Sequence, residues 1–192
     1  SVNLKFTGIN ATNKFLRIRA LDLLAAASGF DVANITSVSF IVDKDTIPQA
    51  PGTVTVRSQN LVYVPPVPAV STGPVTNLEN FRVAPGELDL SGIIGPINQT
   101  SSSQFSFTYQ DPGDDQFGGA IIVFNATDDL NNPIRPNLTS TDLVFDVSGV
   151  TQLIVSVSDD LQVGTNPNGT PRYRSVNLKF TGINATNKFL RI

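Results

Sequence analysis

The sequence predicts an all-β fold, an Ig-like sandwich with Greek-key connections, and three observations carry that expectation. Short segments alternate apolar and polar residues with the period of two that a half-buried strand requires. Gly, Pro, Asn and Asp cluster between those segments as turn chemistry. Only one stretch has the composition of a helix. About nine or ten short strands at this spacing read as a sandwich, with one short helix near residues 19–28.

The elements follow in order. Val2, Leu4 and Phe6 alternate with Asn3, Lys5 and Thr7 as a strand, which Gly8 breaks or bulges before Ile9 resumes the apolar face. Residues 15–28 (FLRIRALDLLAAAS) are rich in Leu and Ala and end at Gly29, the signature of a short helix capped by that glycine. Residues 37–42 (SVSFIV) and 53–57 (TVTVR) alternate cleanly, and 61–64 (LVYV) runs into Pro65, Pro66 and Pro68. Residues 65–77 are then an extended Pro-rich connection, which cannot join a central ladder. Further strands are expected at 79–83, 87–91, 103–109, 119–125, 141–147 and 151–157. Turns at Asp111-Pro112-Gly113, Asn131-Asn132-Pro133 and Asn166-Pro167-Asn168-Gly169 separate them. No boundary between two domains is visible.

Composition narrows the function. A chain that is 40% hydrophobic and 15% charged fits a folded protein. The net charge is −3, and the densest basic cluster, Lys14, Arg17 and Arg19, is interleaved with apolar residues and reads as the edge of an element. Nucleic acid is therefore not an expected partner. Cys, His, Met and Trp are absent, which excludes disulfides, Ser-His-Asp and Cys-His chemistry and the usual zinc sites. Acidic pairs at Asp114-Asp115, Asp128-Asp129 and Asp159-Asp160 lack the spacing of a calcium loop and read as solvated turn residues. Glu87, Asp89 and Asp146 supply carboxylates, but no spacing nominates a glycosidase pair. The expectation is no enzyme, no metal and no cofactor. No run of 18 apolar residues offers a membrane-spanning helix. A secreted form of the chain, starting as it does on a strand pattern, is expected to have already lost its signal peptide.

Asn10, Asn34, Asn98, Asn125, Asn137 and Asn168 each begin an Asn-x-Thr triplet, and Asn184 repeats the first. This composition yields about two or three such triplets by chance, so N-linked glycans are expected partners. The bland reading is turn and strand-edge composition in an Asn- and Thr-rich chain.

Residues 1–18 (SVNLKFTGINATNKFLRI) return letter for letter as residues 175–192, and nothing between resembles them. Such identity suggests one strand in two roles, a recent duplication, or a composite or engineered chain. A terminal, proline-free, alternating strand can complete a neighbour whose sheet lacks a strand, supplying main-chain hydrogen bonds and alternate side chains. Passed head to tail, the contact does not close and builds a filament. The chain then divides into a donor strand and linker (1–18), a sandwich body (19–174) and a copy acting as the complementing strand (175–192). Val2, Leu4, Phe6 and Ile9, with Val176, Leu178, Phe180 and Ile183, are the core-facing candidates.

This layout resembles donor-strand-complemented surface filaments. With its N-terminal donor-like segment, cysteine-free sandwich and dense Asn-x-Thr sites, it is most similar to the archaeal thread-type pilus proteins. Chaperone–usher pilins share the logic but usually carry a Cys pair, which is missing here. The resemblance implies an extracellular filament of identical subunits, glycan-coated and serving adhesion or biofilm formation. A tandem-repeat adhesin is the alternative, with residue 175 opening the next unit. A self-complemented monomer, with the second copy fused to stop polymerisation, is a third.

Overall fold

The alternating segments pair into two facing sheets. The structure is a computed structural model and describes residues 3–7, 15–46, 51–58, 83–88, 94–95, 97–101, 104–110, 117–124, 133, 135–139, 142–167 and 169–181. Its strands are β1 (Asn3–Thr7), β2 (Phe15–Ile18), β3 (Ile35–Asp43), β4 (Gly52–Ser58), β5 (Val83–Leu88) and β6 (Asn98–Ser101). They continue as β7 (Gln104–Tyr109), β8 (Phe117–Phe124), β9 (Leu143–Ser148), β10 (Gln152–Thr165) and β11 (Pro171–Thr181). One sheet has the order β1-β11-β10-β3-β8-β5, the other β2-β9-β4-β7-β6. Every pairing is antiparallel except β1 with β11. This is the all-β sandwich that the alternation predicts.

The core lies between the sheets, as the period of two demands. Val38, Phe40 and Val42 of β3 and Leu153, Val155 and Val157 of β10 bury their side chains from one side. Val54 and Val56 of β4, Phe105 and Phe107 of β7, and Leu143, Phe145 and Val147 of β9 meet them from the other. Phe40 joins the layers. Its ring stands edge-on to Phe145, with centroids 4.9 Å apart, and to Phe105 at 6.0 Å.

The Leu- and Ala-rich stretch divides differently from its composition. Residues 15–18, expected to be helical, form β2 and pair with β9 from Phe15↔Asp146 to Ile18↔Leu143. Leu16 and Ile18 are fully buried while Arg17 is exposed, a strand's alternation. Burial against β9 outweighs helix preferences of less than about 1 kcal/mol per residue. The helix α1 (Ala20–Ala26) begins only after Arg19, whose backbone N–H donates to Asp22 Oδ2 at 3.2 Å. Nor does Gly29 cap it. Ala27 does, donating to the Leu23 carbonyl at 2.9 Å, and Gly29 (φ +79°) makes the next turn.

Strand β6 was not expected, because NQTS lacks apolar alternation; it forms by pairing with β7 at the sheet edge. The expected strand 61–64, the Pro-rich 65–77 and the turns at 111–113 and 131–132 lie outside the described residues.

Two substitutions probe this core. Phe40→Ala should lower stability by about 3–5 kcal/mol in chemical denaturation, since it opens a cavity between both sheets. Gly149 has φ +93°, and a Cβ there would meet the Thr53 carbonyl oxygen. Gly149→Ala should therefore cost more than the ~1 kcal/mol typical of strained left-handed positions. An unchanged denaturation midpoint for either would contradict this packing.

Candidate strand-docking interface

The two copies of the repeated segment enter the same sheet as neighbours. Strand β11 spans residues 171–181, so it crosses the start of the second copy at Ser175 without interruption. From that point its ladder with β10 runs without a shift, from Ser158↔Ser175 to Gln152↔Thr181, and before it the pairing is offset, with Gln162 opposite Tyr173. Val176, Leu178 and Phe180 turn into the core and are 1%, 0% and 2% exposed. Burying a Val, a Leu and a Phe contributes about 1.5–3 kcal/mol each, comparable in sum with the net stability of a small domain. Residues 176–180 of the second copy are part of the core.

The first copy lies on the outer side of β11 and runs parallel to it. Each residue stands opposite its own duplicate: Asn3↔Asn177, Leu4↔Leu178, Lys5↔Lys179, Phe6↔Phe180 and Thr7↔Thr181. This edge place is the weaker of the two. Parallel pairing is slightly less stable per residue than antiparallel. Val2, Ile9 and Ile183 lie outside the described residues, and Leu4 and Phe6 are placed by backbone pairing.

A polar clasp closes the groove where the repeat begins. The ladder of β10 shifts register after Ser158, and this irregularity turns Asp159 inward. Asp159 is fully buried, a correction to the expectation of a solvated turn residue; the neighbouring Asp160 is exposed. Its Oδ2 accepts from Arg174 Nε and from the Asp31 N–H, both at 2.8 Å, and also from Arg174 Nη2. Its Oδ1 accepts from the Leu161 N–H at 3.2 Å. The Arg174 guanidinium donates further to the Gly29 carbonyl at 2.7 Å and lies 5.3 Å from the centroid of the Phe30 ring. A buried carboxylate is tolerable only with such a set of donors.

Beyond the clasp, β10 and β11 continue as a two-stranded ribbon that carries exposed Leu161, Val163 and Tyr173. The turn at its tip is the expected one. Asn166 N–H donates to the Thr170 carbonyl at 2.8 Å and Gly169 N–H to the Asn166 carbonyl at 2.9 Å, with Gly169 at φ +84°. The segment Thr170–Arg174 shows little apolar character in sequence, and its charged residues hid the first half of β11.

Asn98 is exposed on edge strand β6, whereas Asn34 is half-buried and its Nδ2 donates to Asp31 Oδ2 at 2.8 Å. Asn137 is also half-buried, and its Oδ1 accepts from the Thr139 N–H at 2.9 Å and the Thr139 hydroxyl at 2.6 Å. Asn10, Asn125, Asn168 and Asn184 lie outside the described residues. Of the other carboxylates, Asp146 is half-buried on β9 and Glu87 lies on β5, in the other sheet; Asp89, Asp114, Asp115, Asp128 and Asp129 lie outside. Among the described residues no three His, Cys, Asp or Glu gather in a metal-binding group, and no helix is long and apolar enough to cross a membrane.

Comparison with protein-family models, with curated proteins and with solved structures found no match to this chain.

The clasp is open to test. Arg174→Ala leaves the buried Asp159 carboxylate without its cation and should cost about 3 kcal/mol in urea denaturation. Arg174→Lys should recover only part of that, because an ammonium cannot reproduce the forked contact. Equal stability of Arg174→Ala and the unsubstituted protein would remove the clasp from the account.

Proposed function

We propose that this protein is a structural subunit of an extracellular filament, assembled when each subunit inserts its N-terminal strand into the sandwich of the next. The observation that carries this reading is the place of residues 176–180. A segment identical in sequence to residues 2–6 lies hydrogen-bonded to β10 with its apolar residues in the core. Whatever sequence can fill that place in one polypeptide can fill it from another, because the contacts depend on main-chain ladders and alternate side chains. Donation of this kind is heterologous, so it propagates.

In this reading residues 19–174 are the body, residues 1–18 supply the donated strand and a linker whose end, β2, packs Leu16 and Ile18 into that same body, and residues 175–192 stand for the neighbour's strand. The subunit is no enzyme and needs no cofactor; its partners are further copies of itself and N-linked glycans, on the cell surface. The exposed Asn98 suits a glycan that also shields an edge strand from unwanted pairing. Adhesion or biofilm formation is the role such a fibre would serve. A tandem-repeat adhesin fits less well, since residue 175 would then open a separate unit, whereas β11 runs from 171 to 181 within one sandwich.

Electron microscopy of native material, with antibody raised against the 19–174 body, should show decorated filaments. Monomers or chains of beads joined by one continuous polypeptide would sink the proposal. Intact-mass measurement of the same material should exceed the polypeptide mass by several glycans. A bare polypeptide mass would remove the glycoprotein element while leaving the filament reading in place.

A further inference from the structure

We infer that the groove beside β10 accepts the chain's own first copy as well as its second, so that the subunit can close its sandwich in cis before a neighbour's strand replaces it. The inference rests on the filament reading and adds a resting state to it.

Three observations point to this. Strand β1 already lies next to β11, runs in the same direction and matches it residue for residue. To take the place of β11, β1 needs to move by about one strand spacing, 4.7–4.9 Å, without reversal or change of register. The place beside β10 is also the better one for this sequence. There the strand is antiparallel and its Val, Leu and Phe positions are buried. Finally, the connection permits it. Seven residues separate Thr7 from Phe15. They span at most about 25 Å when extended, far more than the move demands.

The sequence identity of the two copies makes the exchange nearly balanced in direct contacts. Leu4 would stand where Leu178 does and Phe6 where Phe180 does, each against the same neighbours. What separates the occupants is chain connection alone. A strand held in cis has the advantage of high effective concentration, and one donated in trans has it only once subunits are held together. Cis closure would keep the apolar groove covered in the free subunit.

The test uses the full 192-residue chain. Leu178→Asp with Phe180→Asp spoils the second copy, Leu4→Asp with Phe6→Asp spoils the first, and the four together spoil both. A cysteine pair, Asn3→Cys with Ser156→Cys, reports the move, because Ser156 faces Asn177 across the β10–β11 ladder. With β11 in place, residue 3 lies a full strand away from residue 156, beyond the ~7 Å limit of a disulfide. After the move the two face each other.

We expect the chain with the second copy spoiled to unfold cooperatively, to remain a monomer on size exclusion and to form an intrachain disulfide under oxidation. Spoiling the first copy alone should leave folding intact, and spoiling both should abolish the cooperative transition. A folded chain that instead forms concentration-dependent oligomers and interchain disulfides would overturn cis closure while leaving head-to-tail donation standing. A folded monomer without the disulfide would also overturn it, since the first copy would then have stayed at the edge. Loss of folding and of both disulfides when only the second copy is spoiled would overturn cis closure and the filament reading together.

Discussion

The structure depends on how the long edge of β10 is covered. That strand presents a row of backbone donors and acceptors, and beside it the inward faces of Leu153, Val155 and Val157 need a neighbour. Unpaired polar groups next to an apolar face are costly, because one half of the surface repels water while the other half requires it. Strand β11 answers both needs through one ladder and three buried side chains. The repeated segment therefore has meaning only in relation to β10.

The clasp between Asp159 and Arg174 works on the same strand in a different way. Alternation forbids a slip of one residue, since it would turn Val176, Leu178 and Phe180 to solvent. A slip of two would preserve that pattern and exchange only side-chain sizes. Arg174, tied to a fully buried carboxylate and to the Gly29 carbonyl, blocks the longer slip because its charge cannot be met two residues away. The hydrophobic pattern sets which face is buried; the ion pair sets which residue comes first. Arg174 lies just before the repeat, so this control acts on the second copy, where Ser175 meets Ser158; a strand supplied by residues 1–7 would have to find the same register through its side chains and ladder alone.

Much of the fold was legible from local pattern. Residues SVSFIV, TVTVR, QFSFTY and QLIVSV are strands because alternation, β-branching and flanking turn residues agree. In the second copy the alternation of Val176, Leu178 and Phe180 likewise marks a buried face. Other elements were hidden where local and tertiary preferences disagree. FLRI has helical composition, yet pairing with β9 makes it β2, and NQTS has no apolar face, yet β7 gives it a partner. Arg172 and Arg174 masked the beginning of β11, and Asp159 passed for a loop residue, because burial of a charge is decided by partners 15 and 128 residues away in the chain.

The sequence by itself determined the all-β character, the chemistry excluded by the absence of Cys and His, and the presence of one strand pattern in two identical copies. These follow from residue type and short-range periodicity, which need no knowledge of neighbours. Only the tertiary structure decided that the second copy lies beside β10 and the first outside it, in parallel and in register. Identical sequences carry identical local preferences, so nothing in the segment can distinguish its two places. The difference comes from what each place offers: an antiparallel ladder over an apolar core in one, an open sheet edge in the other.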